Sequence, residues 1–333
     1  MTRARPLVTS AGTLAAAFAL LAGCTTTDVP ESLPGPTTST VAPTPPPPAT
    51  GECDPATVTH SLRPDGPATA DVEPGSYMDV IKRRGRLRVG VDTSTLLFSS
   101  VDPKTGEFVG FDVEIAKEVA AALFGDDDPE HVEFVAIPKS ARADVLTGDE
   151  PLDMVADSFT INCERAATVD FSRVYFHSGQ KLLVRDDEEA SSVEEMVAMA
   201  EAQGRDRPKV CAPAGSTSLR NLEALADPPD LVAAPSQGAC LVRLQQGAVD
   251  AVSTDDTILA GMVVQDPNLK IVGDRFSSEP YGLGLPEGHP EWVRYVNAVL
   301  EDLRASGRWE ELYDRFFREH MGDPDLPDVV YAE

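Results

Sequence analysis

The chain has 333 residues, which is long enough for two domains of ordinary size. Its 55 acidic and 28 basic residues give a formal net charge of -27, which disfavours nucleic acid as a partner because a polyanion would be repelled. The charge carries no information about the fold. It does mean that an anionic ligand would need a basic residue placed locally against the general field.

The N-terminus has the pattern of a secretory signal. Arg3 and Arg5 precede a short apolar run, Leu7 to Ala22, which is too short for a membrane span. The run ends in LAGC at Cys24 and resembles the lipobox of bacterial lipoproteins, in which the cysteine becomes the lipidated first residue. We expect a signal peptide at residues 1–23 and a lipid anchor on the extracytoplasmic face of the cell membrane. The alternative is an ordinary signal peptide with a chance cysteine.

The next segment, residues 24–52, is rich in Pro and Thr. Such a composition cannot bury apolar surface, so we expect an extended, disordered tether. At about 3 Å per residue, some 25 residues in a polyproline-like state would reach roughly 75 Å. The segment would therefore hold a folded body away from the membrane.

The rest of the chain alternates between strand and helix patterns. This order is typical of α/β proteins with doubly wound, mostly parallel sheets. An outline similarity between residues 146–160 and 244–257 favours two similar lobes. The predicted strands are 87–91, 133–137, 153–156, 181–185, 209–212, 231–234, 249–253, 270–272 and 281–285. The predicted helices are 77–86, a helix opening at Gly110 with Asp112 as its cap, about 142–146, 193–203, 216–226, 239–246, 290–305 and 308–320.

The stretch DMVADSFTINCER, residues 153–165, joins an apolar strand to hydroxyl groups and an arginine. Ligands of open α/β sheets bind outside the carboxyl ends of the strands. Ser158 and Thr160 would present hydroxyl groups there, and Arg165 would grip a carboxylate with its planar fork of donors. The alternative is a plain strand-to-helix turn with Ser and Thr as caps and a surface arginine.

The second lobe offers acids at the corresponding place, Asp255 and Asp256. An arginine on one lobe and a carboxylate on the other form a bipolar cleft that suits a zwitterion, with the α-carboxylate on Arg165 and the α-ammonium on Asp255. Ser216 and Thr217, at the start of a predicted helix, would complete the hydrogen bonding. Taken alone, the two acids fit equally a helix cap and a solvated neighbour.

From about Tyr77 to Gly322 the chain resembles the polar amino-acid-binding solute-binding proteins of ABC importers. The matching segments are LRVGVD, GFDVEIA, SFTINCER, VDFS, AGSTSL, VDAVSTDD, YGLGLP and SGRWEELYDRFF. The resemblance implies an α/β, two-lobe periplasmic-binding-protein fold of type II, in which two hinge strands join the lobes. Lobe 1 would comprise residues 53–176 plus 281–333, and lobe 2 residues 177–280. The lipobox and tether resemble the actinobacterial lipoprotein branch, some members of which are linked to a membrane sensor.

The resemblance also implies roles for single residues. An acidic or amide ligand is expected, although Asp157 stands where a small neutral residue is common and favours asparagine or glutamine. The family's positions carry over to Arg165 for the α-carboxylate, Ser158 and Thr160 for further contacts, Asp255 for the α-amino group, Leu97 or Phe98 for an apolar wall, and Arg142 for the ligand side chain.

Four cysteines follow Cys24, and they show no metal-binding spacing. In an oxidising compartment an even number of cysteines favours two disulfides. We favour Cys211 with Cys240 because both fall in one predicted lobe, which leaves Cys53 to pair with Cys163. Buried free thiols are the alternative.

The sequence therefore predicts a monomeric, lipid-anchored binding protein for a polar amino acid, either glutamate, aspartate or one of their amides. It would deliver the ligand to an ABC permease or report it to a membrane sensor, without a cofactor or a metal. The alternative is a periplasmic enzyme on the same fold, similar to a dehydratase. No histidine motif falls in the cleft, and we find no nucleophile elbow or phosphate loop, so we expect no enzyme.

Overall fold

The structure is a computed structural model that describes residues 53–332. The predicted signal peptide, the lipidation site at Cys24 and the predicted tether lie outside the described residues. Within residues 53–332, no helix is both long enough and apolar enough to cross a membrane.

The described chain contains fifteen strands, most of them short. They are β1 (Leu87–Val91), β2 (Ser94–Thr95), β3 (Ser99–Val101), β4 (Phe108–Val109), β5 (Val132–Ala136), β6 (Met154–Val155), β7 (Asp170–Phe171), β8 (Phe176–Ser178), β9 (Gln180–Arg185), β10 (Lys209–Pro213), β11 (Asp230–Ala234), β12 (Ala251–Asp255), β13 (Leu269–Val272), β14 (Glu279–Tyr281) and β15 (Gly284–Leu285).

Ten α-helices lie in the same part of the chain. They are α1 (Tyr77–Arg84), α2 (Phe111–Phe124), α3 (Cys163–Ala166), α4 (Val193–Ala202), α5 (Thr217–Glu223), α6 (Gln237–Gln245), α7 (Asp256–Gln265), α8 (Pro290–Ser306), α9 (Arg308–Phe316) and α10 (Arg318–Met321). Three 3-10 turns accompany them, at Pro129–His131, Lys139–Ala141 and Asp144–Leu146. The last two replace the helix that the sequence predicted near residues 142–146, because Gly148 and Pro151 end the segment after one turn.

Two five-stranded sheets form the cores of two lobes. The first has the order β5-β1-β6-β15-β7, and the second has the order β11-β10-β12-β9-β13. In each sheet the first three strands run parallel and the last two pair antiparallel with their neighbours. β1 is buried at four of its five positions, as expected for a strand with helices on both faces of its sheet.

The chain crosses between the sheets twice. β8 and β14 pair antiparallel as a two-stranded hinge, with Phe176 opposite Tyr281 and Ser178 opposite Glu279. This arrangement confirms the predicted two-lobe α/β fold with two hinge strands. The predicted lobe boundaries, at residues 176/177 and 280/281, fall inside these strands, and the division at those residues stays a prediction.

Helix α2 begins differently from the sequence prediction. Its N-cap is Gly110, whose φ of 138° and close approach to Phe98 exclude other residues, since an added Cβ would lie 2.1 Å from the Phe98 carbonyl oxygen. Asp112, which the sequence predicted as the cap, does not cap the helix. Its buried carboxylate instead accepts hydrogen bonds from the backbone N–H of Ser158 at 2.7 Å and from the Tyr175 hydroxyl at 2.6 Å.

Two disulfides connect the four cysteines of the described chain. Cys53 is bonded to Cys163, and Cys211 is bonded to Cys240. These are the pairings that the sequence favoured. The second bond joins β10 to α6 inside lobe 2, and the first ties the start of the described chain to α3.

Candidate ligand-binding site

The carboxyl ends of parallel strands from both sheets meet at one place. Asp157 and Ser158 follow β6 in lobe 1, and Asp255 ends β12 in lobe 2. The two lobes touch beside these ends. Glu164 and Arg220 form an ion pair across the lobes at 2.6 Å, and the Arg165 Nη2 donates to the Gly215 carbonyl at 3.5 Å.

Arg165 is the most informative residue of this region. The side chain of Asn162 caps α3 by accepting from the Arg165 N–H, and the arginine side chain is only 7% exposed. Its Nη1 donates to the Thr160 carbonyl at 2.6 Å, and its guanidinium lies over the Phe159 ring. Among the described residues, no carboxylate lies within the 4.0 Å of an ion pair with Arg165.

The electrostatic state of Arg165 follows from this burial. Removal from water lowers its pKa well below the usual range, and the nearby positive charges of Arg142 and Arg220 lower the pKa further. A buried charge without an opposite partner is costly. The guanidinium is therefore suited to an anionic group that would supply the missing charge.

Asp255 occupies the opposite wall and carries the opposite sign. Its carboxylate, which is 4% exposed, accepts a short hydrogen bond from the Tyr281 hydroxyl and a longer one of 3.4 Å from Ser218. Burial, followed by the negative charge of Glu279, raises its pKa to about 7. A cationic group would reverse this rise, since an opposite charge favours the ionised carboxylate.

Asp256 does not join Asp255 in the cleft. Its carboxylate pairs with Arg275 at 2.6 Å and accepts a hydrogen bond from the Ser178 hydroxyl at 2.8 Å. The predicted pair of acids therefore divides. Asp256 is held by groups beside the hinge, and the contact of Asp255 with a ligand stays a prediction.

The hydroxyl residues of lobe 1 are held by neighbouring groups. Ser158 has a positive φ of 40°, and its hydroxyl accepts a hydrogen bond from the Lys139 ammonium at 3.0 Å. The Thr160 hydroxyl donates to Glu279 at 2.7 Å. Both residues lie beside Arg165 in the chain and are buried.

On lobe 2, Ser216 caps α5. Its hydroxyl accepts from the Leu219 N–H at 3.1 Å and donates to the Pro213 carbonyl at 2.7 Å. The Thr217 hydroxyl donates to Glu279 at 2.7 Å. Contacts of these two residues with a ligand remain a prediction.

The buried side chain of Arg142 donates hydrogen bonds to backbone carbonyl groups. Its Nε donates to the Lys139 carbonyl at 2.9 Å, and its Nη1 donates to the carbonyls of Asp157 and Ser158 at 3.1 and 3.2 Å. Its guanidinium lies over the face of Phe159, as does that of Arg165. Arg142 thus fixes the loop after β6, and its predicted reach to a ligand side chain stays a prediction.

Phe98 lies in a buried aromatic cluster. Its side chain is fully buried, with ring centroids 5.2 Å from Phe176, 5.6 Å from Tyr281 and 4.8 Å from Phe317. This aromatic cluster is part of the core, and the predicted role of Phe98 as an apolar wall stays a prediction. Leu97 is half-buried with a φ of 78°, and its predicted contact with a ligand is untested by these contacts.

Two groups that the sequence reading missed lie in the same region. The Lys139 ammonium, 3% exposed, forms a short ion pair with Asp157 and so neutralises the acid that seemed to oppose an anionic ligand. Gln237, at the start of α6, donates through its Nε2 to Thr254 at 3.2 Å. The sequence signal that could have indicated these residues was their position, since Lys139 follows the end of β5 and Gln237 begins α6.

Two buried acceptor atoms in this region have no hydrogen-bond partner in the described chain. They are Asp157 Oδ2 on lobe 1 and Gln237 Oε1 on lobe 2. The Arg142 Nε lies 4.0 Å from Asp157 Oδ2, beyond hydrogen-bond distance. Buried acceptors without donors are uncommon in folded proteins and are suited to N–H donors of a ligand.

A cavity of about 570 Å³ borders the cleft at its hinge side. Its lining includes Thr160, Thr217, Glu279, Pro55 and Cys163. Another cavity, of about 610 Å³, lies on lobe 2 around Val193 and Phe276 and contains none of the candidate site residues. We therefore associate only the first with the candidate site.

Comparison with known proteins agrees with this fold and cleft. The family model for bacterial extracellular solute-binding proteins, family 3, matches residues 87–319. The chain belongs to this family. The resemblance stated from the sequence motifs is thereby confirmed.

Individual relatives of this solute-binding protein span most of the folded part. The ABC transporter glutamine-binding protein GlnH of Bacillus subtilis is 33% identical over 239 residues, which cover 72% of this chain and 84% of the relative. The glutamate-binding protein GluB of Corynebacterium efficiens is 30% identical over 223 residues, which cover 64% of this chain and 71% of the relative. The structure of an ancestral arginine-binding protein bound to glutamine has 31% sequence identity and a TM-score of 0.63, and the match covers 72% of this chain and 99% of that structure.

These relatives are named as binding proteins and not as enzymes. The chain is accordingly a solute-binding protein of an amino-acid-binding ABC-transporter family, as the sequence analysis expected, and the dehydratase-like alternative is not supported.

Proposed function

We propose that this solute-binding protein closes over a polar α-amino acid, whose α-carboxylate pairs with Arg165 and whose α-ammonium pairs with Asp255. The observation that carries the proposal is the burial of the Arg165 guanidinium with no carboxylate within ion-pair distance in the described chain. Asp255 complements it with the opposite sign and a raised pKa. A zwitterion satisfies both groups at once.

We further propose that the ligand side chain is an amide, glutamine or asparagine, in preference to an acid. The cleft contains two buried acceptors without donors, Asp157 Oδ2 and Gln237 Oε1. An amide NH₂ group can donate to such acceptors, whereas a carboxylate cannot. The names of the Bacillus relative and of the glutamine-bound ancestral structure agree with this choice.

The cellular role is proposed from the N-terminal sequence. We infer that residues 1–23 are removed, that Cys24 carries the lipid, and that residues 24–52 tether a monomeric binding protein to the extracytoplasmic face of the membrane. The ligand would pass to an ABC permease or be reported to a membrane sensor. Loss of membrane association on changing Cys24→Ala in the native host would support the anchor, and unchanged fractionation would refute it.

Calorimetric titration of the purified, oxidised protein tests the ligand assignment. After removal of carried ligand, glutamine, asparagine, glutamate, aspartate and arginine are titrated in turn. We expect saturable binding with the amides tightest. Binding of the acids tightest would refute the amide preference, and binding of none would refute the proposal of an amino-acid ligand.

The matched variants are Arg165→Ala and Arg165→Lys. Removing one partner of a buried charge pair costs about 2 to 5 kcal/mol, so the alanine variant should lose at least about 30-fold in affinity. The lysine variant keeps the positive charge but loses the bidentate geometry of the guanidinium, so its affinity should lie between those of the alanine variant and the wild type. Affinity of the alanine variant equal to the wild type would remove Arg165 from the site. Far-ultraviolet circular dichroism checks that both variants are folded.

A further inference from the structure

Glu279 is a buried carboxylate at the start of hinge strand β14, with 2% of its surface exposed. Four hydrogen bonds reach it. Its Oε2 accepts from the hydroxyls of Thr160 and Thr217, both at 2.7 Å, and its Oε1 accepts from Ser277 Oγ at 2.7 Å and Asn221 Nδ2 at 3.2 Å. All four donors are uncharged.

The donors come from three parts of the molecule. Thr160 follows β6 in lobe 1, Thr217 and Asn221 lie on α5 in lobe 2, and Ser277 precedes the hinge strand. No lysine or arginine nitrogen of the described residues lies within the 4.0 Å of an ion pair with Glu279. The charge is therefore stabilised by hydrogen bonds that only exist together when both lobes approach the hinge.

The same carboxylate lies close to both proposed ligand-binding charges. Its negative charge opposes the loss of the proton from Asp255 and supports the protonated guanidinium of Arg165. It is nevertheless not an ion-pair partner of Arg165, because no such pair lies within 4.0 Å in the described chain. Glu279 is thus placed to act on closure, because its hydrogen bonds join residues of both lobes to the hinge.

We propose that Glu279 is a positioning residue that, with Thr160, Thr217, Asn221 and Ser277, forms a hinge latch which favours the closed arrangement of the lobes. Separation of the lobes would part Thr160 from Thr217 and Asn221, so the carboxylate could keep the donors of at most one lobe. The proposal rests on the proposed function in one respect, that ligand binding requires closure.

The latch links closure to affinity by simple arithmetic. If only the closed state binds, the apparent dissociation constant is the intrinsic one divided by the closed fraction of the free protein. A hydrogen bond to a charged group is worth about tenfold in an equilibrium or more. Loss of the carboxylate should therefore lower the closed fraction and weaken apparent affinity by about 10-fold to 100-fold, and the ligand-free lobe separation reports the effect on closure separately from any effect on the binding groups.

The test measures the lobe separation directly. Spin labels on Glu130→Cys in lobe 1 and Glu201→Cys in lobe 2, both at exposed positions, report the distance by electron paramagnetic resonance. A Cys24→Ser background leaves only these two thiols, because the other four cysteines form disulfides. Distances are recorded with and without saturating glutamine, and calorimetry gives the affinity.

In ligand-free Glu279→Ala we expect a longer mean distance than in the wild type, return to the wild-type distance with glutamine, and affinity about 10-fold to 100-fold weaker. Ser277→Ala is the matched control, since it removes one of the four bonds but leaves donors from both lobes. It should keep the wild-type distance and stay within about threefold in affinity. An unchanged ligand-free distance in Glu279→Ala overturns the latch.

Glu279→Gln covers the case in which the alanine variant does not fold. The amide keeps the shape and removes the charge, so we expect an intermediate distance and an intermediate affinity. Values equal to the wild type would overturn the latch as well. Failure of the proposed function is a separate result, because it would appear as absence of amino-acid binding by the wild type, whereas the ligand-free distances need no ligand.

Discussion

Acidification should weaken amino-acid binding through Asp255. In the ligand-free protein its pKa is about 7, raised first by burial and then by the charge of Glu279. A ligand ammonium group binds the ionised form, so binding below pH 7 must first remove a proton. The affinity should therefore be greatest near pH 8, fall by nearly tenfold per pH unit below pH 6.5, and fall again at higher pH as the ligand's α-ammonium group loses its proton.

The magnitude follows from the single titration. With a free-state pKa of 7, the apparent dissociation constant at pH 5.5 should be about 30 times that at pH 8. At pH 6, about 0.9 proton should leave per ligand bound, and at pH 8 about 0.1. The ligand's own α-carboxyl group titrates well below this range and does not contribute.

Calorimetry in two buffers of different ionisation enthalpy counts these protons. Asp255→Asn should bind weakly and show no pH dependence in this window. Tyr281→Phe should move the midpoint above pH 7, because the tyrosine hydrogen bond lowers the pKa of Asp255. Asp112, whose pKa is also raised to about 7, is the control. Asp112→Asn should keep the pH midpoint of binding, since Asp112 is not among the groups that shift the pKa of Asp255, whereas the affinity itself can change through its bond to the Ser158 backbone.

Release of less than about 0.2 proton at pH 6, with an affinity that does not change between pH 5.5 and 8, would refute the assignment of Asp255 to the ammonium group.

Three further predictions address stability and specificity. Burial raises the pKa of Asp112 from 3.8 to about 7, so the stabilisation from its protonated form is full below about pH 4 and is lost as the pH rises through 7. Between pH 5 and 8, the free energy of unfolding of ligand-free wild type in urea should fall by on the order of 2 to 3 kcal/mol more than that of Asp112→Asn. Parallel plots of unfolding free energy against pH for the two proteins would contradict this. Changing both Cys211 and Cys240 to Ala should lower the free energy of unfolding by about 3 to 4 kcal/mol, because the disulfide closes a loop between cysteines 29 residues apart. The ligand affinity should stay within about threefold of the wild type, and a larger loss would contradict a purely stabilising role. Gln237→Leu should weaken glutamine binding by about tenfold and glutamate binding by less, as measured by calorimetry, and equal losses would exclude its contact with the amide.

The strand and helix order of this chain was readable from its sequence because the alternation is regular. β1, β5 and β10 are each short, mostly apolar runs that end in a loop, and β12 leads directly into α7. Parallel strands bring their carboxyl ends to one edge. That rule predicted Asp255 at the end of a strand of the second sheet, where the structure has it. It needed no knowledge of side-chain contacts.

Pairing between side chains was not readable. Asp157 seemed to oppose an anionic ligand, but a 3-10 turn of three residues brings Lys139 against it. Asp112 fitted a helix cap by position, yet the adjacent Gly110 takes the cap and turns the carboxylate inwards. Such partners depend on turns of a few residues, which sequence periodicity does not determine.

The opposite charges of Arg165 and Asp255 also determine which molecules the cleft should reject. Each is buried, and each pays an electrostatic penalty that only an opposite charge relieves. A carboxylic acid without an amino group would satisfy Arg165 but leave Asp255 unpaired, and an amine without a carboxylate would do the reverse. Because a site built for a polar group rejects an analogue that lacks it by about 10⁴-fold, the cleft should distinguish a free amino acid from either kind of half-ligand more sharply than it distinguishes one polar side chain from another.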